Sequence, residues 1–333
     1  MRFGLLGAGR IGRIHGLNVA ARPDARLVAL ADASPEAAAD LARTSGAKVA
    51  DTDAILADDD IDAVVICTPT DTHAELIEAA VSAGKAVFCE KPVDLDAARI
   101  RRCLAVVAAS GKPLMIGFNR RFDPNFAALE RRLRQGEAGE IEIVSVISRD
   151  PGPPPVDYVR RSGGLFRDMM IHDFDMARFL LAEEPVEVYA VGSALVDPEI
   201  GAAGDVDTAA VLMRTRSGRI AQISNSRRAT YGYDQRIEVH GSQGMLRAGN
   251  IHETTIESAT TAGFRADPVQ NFFLERYAAA YRAELDAFIA ACRDGRAPSP
   301  SGTDGLKAQI LADAATQSRR TGQPVAVSLE ELP

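Results

Sequence analysis

The stretch Gly4–Gly12, with the sequence GLLGAGRIG, decides the fold of the N-terminal part of the chain. It joins an apolar run to three glycines, Gly7, Gly9 and Gly12, in the spacing GxGxxG. The apolar run predicts a buried strand, and the residues from about Ile11 predict a helix. In such a strand–turn–helix unit the first glycine permits the tight turn. The second lets a pyrophosphate approach the backbone, and the third packs the helix on the strand. The stretch therefore predicts a dinucleotide site.

Further apolar runs follow up to about residue 120, each separated from the next by a stretch with helical character. They read ARLVALAD (25–32), AVVICTP (63–69), AVFCEKP (86–92) and PLMIGFN (113–119). Such runs are typical of strands buried in a parallel sheet, and their alternation with helices predicts a doubly wound α/β fold. Residues 1–120 are therefore predicted to form a Rossmann domain.

After residue 120 the runs become longer and alternate apolar with polar residues. Examples are EIEIVSVISRD (140–150), VEVYAVGSALV (186–196) and QRIEVHGSQGMLRAG (235–249), which contains a turn signal at GSQG. This alternation predicts a large, mostly antiparallel open sheet with one face solvated or used as an interface. Two helices are predicted near the C-terminus. Residues 121–333 are thus predicted to form an α+β domain for substrate binding and oligomerisation.

Composition and charge restrict the class of protein. The 333 residues suit two domains, and 46% hydrophobic with 25% charged residues is the balance of a folded globular protein. The net charge of -8, without a basic block, argues against a nucleic-acid or membrane partner. The four cysteines form no CxxC pair and the five histidines show no metal-ligand spacing, so no metal site is predicted. No apolar run would cross a bilayer and no signal-peptide cleavage site is recognisable, so a cytoplasmic location is expected.

Asp32 ends the second strand, twenty residues after Gly12. A carboxylate at this point accepts hydrogen bonds from the adenosine ribose hydroxyls and repels a 2′-phosphate. The next residue is Ala33, which cannot neutralise such a phosphate as an arginine would. The alternative is that Asp32 only caps a turn. In the context of the glycine motif we predict NAD as the cofactor.

The stretch Gly163–Phe179, GGLFRDMMIHDFDMARF, reads as one helix opened by two glycines. Asp168, His172 and Asp175 are four and then three residues apart, so they are predicted to share one face of that helix. A neutral imidazole suits the role of a general base. Lys91, in CEKPV, follows a strand at the edge of the sheet where α/β proteins bind ligands. The alternatives are a hydrogen-bonded core histidine and a surface lysine.

These segments, together with CTPTDTH (67–73), resemble the Gfo/Idh/MocA oxidoreductases, a family of NAD(P)-dependent sugar and polyol dehydrogenases. The resemblance covers nearly the whole chain. Within the family, RRFDPNF (120–126), SRDP (148–151) and YGYDQRIEVHGS (231–242) are similar to segments of inositol 2-dehydrogenases. The resemblance implies NAD-dependent oxidation of myo-inositol at C2 to the 2-keto compound. It also implies a homotetramer.

The resemblance further implies a catalytic group of Lys91, Asp168 and His172. His172 would take the hydroxyl proton while hydride leaves for the nicotinamide, Asp168 would stabilise the imidazolium, and Lys91 would favour deprotonation of the reacting oxygen. Cofactor binding is expected of Gly7, Gly9, Arg10, Ile11, Gly12, Asp32, Thr68, Pro69, His73, Glu90 and Lys91. Substrate binding is expected of Lys91, Arg121, Asp168, His172, Asp175 and Tyr231.

Several of these assignments have alternatives. Asp175 could pair with Arg178 at i+3, His73 could serve its loop, and Tyr231 and Tyr233 could be ordinary strand aromatics. For the whole protein, the alternatives are a related dehydrogenase acting on scyllo-inositol or an aldose, and an NAD(H)-sensing protein without turnover.

Overall fold

The computed structural model describes residues 1–329, and within them the N-terminal apolar runs form a parallel sheet in the order β3-β2-β1-β4-β5-β6. The strand order reverses between β1 and β4, the point at which such sheets bind ligands. This confirms the predicted doubly wound fold. The strands are β1 (Arg2–Leu6), β2 (Arg26–Ala31), β3 (Lys48–Val49), β4 (Ala63–Ile66), β5 (Ala86–Cys89) and β6 (Leu114–Ile116).

Helices connect these strands, and some of them have at their ends the residues that typically begin and end helices. The helix after β2, for example, has Ser34 as its N-cap, Pro35 in its first turn and Gly46 in the left-handed conformation at its C-cap. The helices are α1 (Arg10–Ala20), α2 (Pro35–Ser45), α3 (Thr52–Ala57), α4 (His73–Ser82) and α5 (Ala97–Ser110), with a 3₁₀ turn at Thr70–Thr72.

The second sheet has the order β12-β11-β7-β10-β9-β8-β15 in the described part of the chain. Only the β10–β7 pair is parallel among its recorded pairings, so the prediction of a mostly antiparallel sheet is confirmed. Its strands are β7 (Ile141–Arg149), β8 (Pro185–Ser193), β9 (Thr208–Thr215), β10 (Ile220–Ser226), β11 (Asp234–Gly241), β12 (Gly244–Ala248) and β15 (Val325–Ala326). A separate hairpin is formed by β13 (Glu257–Thr260) and β14 (Gly263–Ala266).

The remaining helices follow the 3₁₀ turn at Asn119–Phe122. They are α6 (Pro124–Arg134), α7 (Val156–Ser162), α8 (Leu165–Asp168), α9 (Ile171–Leu181), α10 (Pro198–Ala202), α11 (Phe273–Arg276), α12 (Ala278–Asp294) and α13 (Gly302–Thr321). No helix in residues 1–329 is both long enough and apolar enough to span a membrane.

The second sheet has one covered and one open face. Along β9 the residues alternate strictly, with Val211 and Met213 buried and Leu212 half exposed between them. Helix α9 packs against β7 and β10 on the covered face. The open face leaves Val191, Leu212 and Met245 about half exposed.

The chain divides into two compact units, and neither is a single continuous segment. The first contains residues 1–119 and 280–309, and the second contains 120–279 and the described residues from 310 onward. In the first unit the ring of Phe288 on α12 lies 6.3 Å from Phe3 and 5.8 Å from Phe88, which explains why this late helix belongs to the Rossmann core. The functional division into 1–120 and 121–333 stays a prediction, and residues 330–333 lie outside the described part of the chain.

Candidate active site

The glycine turn has the geometry that a dinucleotide requires. Gly7 adopts φ +96°, and a Cβ on Gly12 would lie 1.9 Å from the Gly7 carbonyl oxygen, so helix α1 packs directly on the turn. A Cβ on Gly9 would have no neighbour within 4 Å, which leaves space for a phosphate. Gly9 is also the N-cap of α1 and provides no capping side chain. The first-turn N–H groups, including those of Arg10 and Ile11, are therefore suited to bind an anion.

Asp32 braces this turn. Its Oδ2 accepts a hydrogen bond from the Ala8 amide at 2.5 Å, and its Oδ1 accepts one from the Ser34 amide at 2.7 Å. The capping role considered as an alternative is therefore present. Each carboxylate oxygen can accept a second hydrogen bond, so capping is compatible with binding of a ribose hydroxyl, which stays a prediction for Asp32.

His73 links two loops of the first unit. Its Nδ1 lies 2.7 Å from the Pro92 carbonyl oxygen, and its Nε2 lies 2.8 Å from the Thr68 carbonyl oxygen. The Thr68 hydroxyl in turn lies 2.7 Å from that of Thr72. His73 is buried and holds the loop after β4 against the segment after β5, so the loop role is observed. Direct cofactor contacts of His73, Thr68 and Pro69 stay predictions.

Lys91 follows β5 at the carboxyl edge of the parallel sheet, where its prediction places it. The preceding Glu90 turns its side chain inward. The Lys91 amide donates to Glu90 Oε2 at 3.3 Å, and His15 Nε2 donates to Glu90 Oε1 at 2.8 Å. The cofactor role predicted for Glu90 is untested, but its carboxylate holds the backbone from which Lys91 projects.

The segment Gly163–Phe179 is not one helix, so that prediction is wrong. Helix α8 ends at Asp168, and α9 begins at Ile171. The interruption is visible in the hydrogen bonds, because the amides of Met169 and Met170 both donate to the Leu165 carbonyl. The second of these bonds spans five residues, as in a π-turn, which is frequent at functional sites. His172 and Asp175 thus share α9, whereas Asp168 belongs to the preceding helix.

Each of the two glycines before α8 is required by a different feature of the backbone. Gly163 has φ 84° and ends α7, and Gly164 has φ 83° and begins α8. A Cβ on Gly164 would lie 2.6 Å from Oδ1 of Asp205. The Asp205 carboxylate can approach this closely and accepts hydrogen bonds from the Leu165 amide at 3.0 and 3.2 Å. Asp205 therefore fixes the start of the short helix that carries Asp168.

Asp168 has two partners that the sequence did not reveal. The Tyr158 hydroxyl donates to its Oδ1 at 2.9 Å, and Arg227 Nη2 donates to its Oδ2 at 3.1 Å. Arg227 is 2% exposed and lies on the segment after β10. Arg227 is 59 residues away in sequence, so no local spacing could indicate the pair. These bonds fix the orientation of the carboxylate.

Two neighbouring arginines are anchored to α9. Arg121 makes a bidentate pair with Asp175, from Nε to Oδ2 at 2.7 Å and from Nη2 to Oδ1 at 2.5 Å. Arg178 Nη1 also lies 3.7 Å from Asp175 Oδ1, so the alternative pairing of Asp175 with Arg178 is present beside the pair with Arg121. Arg120 pairs with the fully buried Asp173. The two residues proposed for substrate binding, Arg121 and Asp175, therefore bind each other.

Asp150 is a further candidate that the motif analysis did not place in the site. Burial raises the pKa of Asp150 to about 6, and the charges of Asp168 and Asp173 act in the same direction against those of Arg227 and Arg120. A carboxyl that titrates near neutral pH beside Asp168 can hold a proton or a substrate hydroxyl. In the sequence, Asp150 can be recognised as a candidate by its position directly after β7.

The two tyrosines of YGYD have different environments. Tyr231 is 49% exposed, its hydroxyl donates to Asp234 at 2.7 Å, and it lines a cavity of about 570 Å³ on the open face of the second sheet. Tyr233 is 5% exposed, and burial raises the pKa of its hydroxyl well above the usual range. The charges that act on it include Arg120 and Asp150. Arg120 and Asp150 are thus among the charged neighbours of Tyr233, and the substrate role of Tyr231 stays a prediction.

The predicted site residues therefore form two sets. The glycine turn, Asp32, His73 and Lys91 are in the first unit. Asp168, His172 and the Arg121–Asp175 pair are in the second, and His172 precedes the anchored Asp173 on α9.

One group of side chains within residues 1–329 has the composition and spacing that could hold a metal ion. It consists of His15, Glu90 and Glu284, all three buried in the first unit. The sequence analysis predicts no metal site. The three members of this cluster are too far apart along the chain for any spacing motif to indicate it.

Two family models match the chain. One describes an oxidoreductase family with an NAD-binding Rossmann fold and matches residues 1–118. The other describes the GFO/IDH/MocA C-terminal domain and matches residues 126–247.

Individual relatives are similar over nearly the full length. An inositol 2-dehydrogenase of Rhizobium meliloti is 59% identical over 318 residues, which cover 96% of each chain. The crystal structure of a myo-inositol dehydrogenase from Corynebacterium glutamicum is 47% identical with a TM-score of 0.95, covering 98% of this chain and 99% of that one. A scyllo-inositol dehydrogenase from Lactobacillus casei, solved with bound NAD(H) and scyllo-inositol, is 31% identical with a TM-score of 0.91 and 98% coverage of both chains.

Proposed function

Since the chain belongs to the Gfo/Idh/MocA oxidoreductase family and is an NAD-dependent dehydrogenase, we propose that it oxidises myo-inositol at C2 to 2-keto-myo-inositol. The observation that carries this proposal is the 59% identity to an inositol 2-dehydrogenase over 96% of the chain. Oxidation at a CH–OH centre needs a base for the hydroxyl proton and an acceptor for hydride. NAD, when bound, supplies the hydride acceptor.

The residues of the second unit support a neutral, polyhydroxylated substrate. Arg120, Arg121 and Arg227 are each paired with an aspartate, so their charges are already balanced within the protein. A phosphorylated substrate would require arginines whose charges are not balanced in this way. Hydroxyl groups, by contrast, can donate to and accept from aspartate, histidine and tyrosine side chains.

His172 takes the proton from the C2 hydroxyl in the proposed reaction. Asp168, whose orientation is fixed by Tyr158 and Arg227, stabilises the imidazolium that forms. Lys91 provides positive charge that favours the alkoxide. Arg121 and Asp175 act as a pair, so Asp175 can still accept from a substrate hydroxyl with its remaining lone pairs while Arg121 holds it in place.

A panel of substrates tests the proposal. Myo-inositol, scyllo-inositol and glucose are each offered with NAD and with NADP, and formation of the reduced cofactor is followed by absorbance. We expect the highest kcat/KM for myo-inositol with NAD, because Asp32 repels a 2′-phosphate and the segments around Arg121 and Asp150 resemble those of inositol 2-dehydrogenases. A preference for scyllo-inositol would favour the alternative function, oxidation of scyllo-inositol. The similarity to the Lactobacillus casei enzyme supports this alternative. A preference for an aldose would contradict both.

The two tyrosines provide a matched pair of variants. We expect Tyr233→Phe to raise KM for the inositol by roughly 10-fold, because one hydrogen bond to a substrate hydroxyl is worth about 1 kcal/mol or more. Tyr231→Phe should leave KM nearly unchanged, because its hydroxyl binds Asp234 on the open face. Steady-state kinetics of both variants decide the matter. The reverse pattern would support the substrate role predicted for Tyr231.

We further propose a homotetramer, in which the open face of the second sheet is covered by another subunit. Its support is the row of half-exposed apolar residues that includes Leu212 and Met245. Light scattering at micromolar concentration should give four chains per particle, and a monomer would contradict it. A cytoplasmic role in inositol catabolism is also proposed, and loss of growth on inositol after deletion of the gene would support it.

A further inference from the structure

Three buried ionisable side chains meet next to the backbone of Lys91 in the first unit. His15 lies on α1, Glu90 follows β5, and Glu284 lies on α12. Their ligand atoms are all within 4.8 Å of one another, and His15 and Glu284 are almost completely buried. The reaction proposed above does not use Glu284 or His15. Such a group requires an explanation, because buried charges are costly unless they are paired.

The hydrogen bonds distinguish the two carboxyl groups. Glu90 accepts one hydrogen bond from His15 Nε2 at 2.8 Å and another from the Lys91 amide at 3.3 Å. In the described residues 1–329, neither oxygen of Glu284 has a hydrogen-bond partner, and its nearest cationic candidate, His15 Nε2, is 3.9 Å away. Donated hydrogen bonds stabilise an ionised carboxylate. Glu90 is therefore the member of the pair suited to carry the charge.

We propose that His15, Glu90 and Glu284 form a positioning brace for Lys91, in which Glu90 is ionised and Glu284 is protonated. Two carboxylates this close in a buried site cannot both be ionised at low cost. A proton on Glu284 removes their repulsion and leaves Glu90 able to accept the Lys91 amide. The inference rests on the proposed function only for the catalytic role of Lys91.

The electrostatics around the brace agree with this arrangement. Burial raises the pKa of Glu284 well above its usual range, and the neighbouring Glu90 raises it further. Burial and the charge of Glu90 also raise the pKa values of the Cys67 and Cys89 thiols, so both stay neutral. The other faces of the His15 ring are covered by Phe88 and by the edge-on ring of Tyr281.

The brace connects two parts of the candidate site. His15 is on the same helix as the glycine turn, and Glu90 directly precedes Lys91. Gly117 lies against the other side of the Glu90 carboxyl, where a Cβ would be 3.0 Å from it, so Glu90 has little freedom to turn. The cofactor turn and the lysine are therefore held in a fixed relation through one ionised carboxylate.

Thermal unfolding against pH tests the proton on Glu284 without any substrate. A carboxyl whose folded pKa is raised holds its proton in the folded state after the unfolded chain has released it. The stability of the wild type should therefore fall relative to Glu284→Gln as the pH rises above the ordinary glutamate pKa of 4.5. We expect the wild-type Tm to lose several degrees relative to the variant between about pH 5 and pH 8. Parallel curves would overturn the proposal, and so would a stoichiometric metal ion found in the purified protein.

Kinetics with the best substrate of the panel test the positioning role. Glu284→Ala should lower kcat by roughly 10- to 100-fold, the cost of a displaced catalytic group, whereas Glu284→Gln should keep kcat within about 3-fold. Leu285→Ala is the control, because this buried neighbour on α12 contributes packing alone. Equal kcat per folded molecule for Glu284→Ala and Leu285→Ala would reduce Glu284 to a structural residue. If no inositol is oxidised, the proposed function fails while the unfolding experiment still decides where the proton lies.

Discussion

Replacing His172 with alanine is expected to lower kcat by roughly 10²- to 10⁴-fold, the usual contribution of general-base catalysis. The physical reason is that the alcohol proton then has no acceptor as hydride leaves. NAD affinity should barely change, because the phosphates are expected at the Gly7–Gly12 turn rather than at α9. The measurements are kcat, NAD affinity and Tm on one preparation of His172→Ala.

The control for this variant is His240→Ala. His240 lies on β11 with its side chain 55% exposed and 3.4 Å from Glu142, so its loss should not affect kcat per folded molecule. If His172 were only a hydrogen-bonded core residue, its replacement would lower Tm and leave kcat per folded molecule nearly intact. That result would end the catalytic assignment.

Alanine substitutions at Gly9 and Gly12 should both weaken NAD binding, but for different reasons. At Gly12 the new Cβ would meet the Gly7 carbonyl oxygen at 1.9 Å, so the backbone must move and Tm should fall with NAD affinity. At Gly9 the Cβ meets no protein atom within 4 Å. It should leave Tm unchanged and lower NAD affinity on the order of 10- to 100-fold, the effect of one misplaced carbon atom in a fitted site.

Titration calorimetry with NAD and thermal unfolding of the apoprotein separate these two roles. Gly152→Ala is the control, because its added Cβ would also meet nothing within 4 Å but lies outside the glycine turn. Unchanged NAD affinity in Gly9→Ala would show that the pyrophosphate does not approach the backbone at this residue.

The fold could be predicted from the sequence because its signals are local. Gly7, Gly9 and Gly12 are constrained by neighbours within a few residues, and the change from buried runs to alternating strands is visible in the composition of each segment. The break between α8 and α9 could not be predicted in this way. A single amide, that of Met170, bonds one residue further back than in an α-helix, and this shift leaves the spacing of polar residues unaltered.

The candidate site was predictable to the extent that its residues lie in motifs. Lys91, Asp168 and His172 stand in recognisable segments, but one partner of Asp168 is Arg227, which only the folded chain brings near. The different burial of Tyr231 and Tyr233 could not be predicted from the sequence for a related reason. Both precede the first residue of β11, so strand alternation does not determine which of them turns inward.

The contribution of α12 to the first core also determines when that core can form during synthesis. Phe3 and Phe88 emerge from the ribosome early, but Phe288, which packs against both, emerges only when most of the chain has been translated. N-terminal domains usually fold first during synthesis, but the complete core of this unit can form only after α12 has been synthesised. A nascent chain that stops after residue 120 carries the complete glycine motif but lacks both Phe288 and Glu284, so we expect this contiguous fragment to be less stable than the complete first unit.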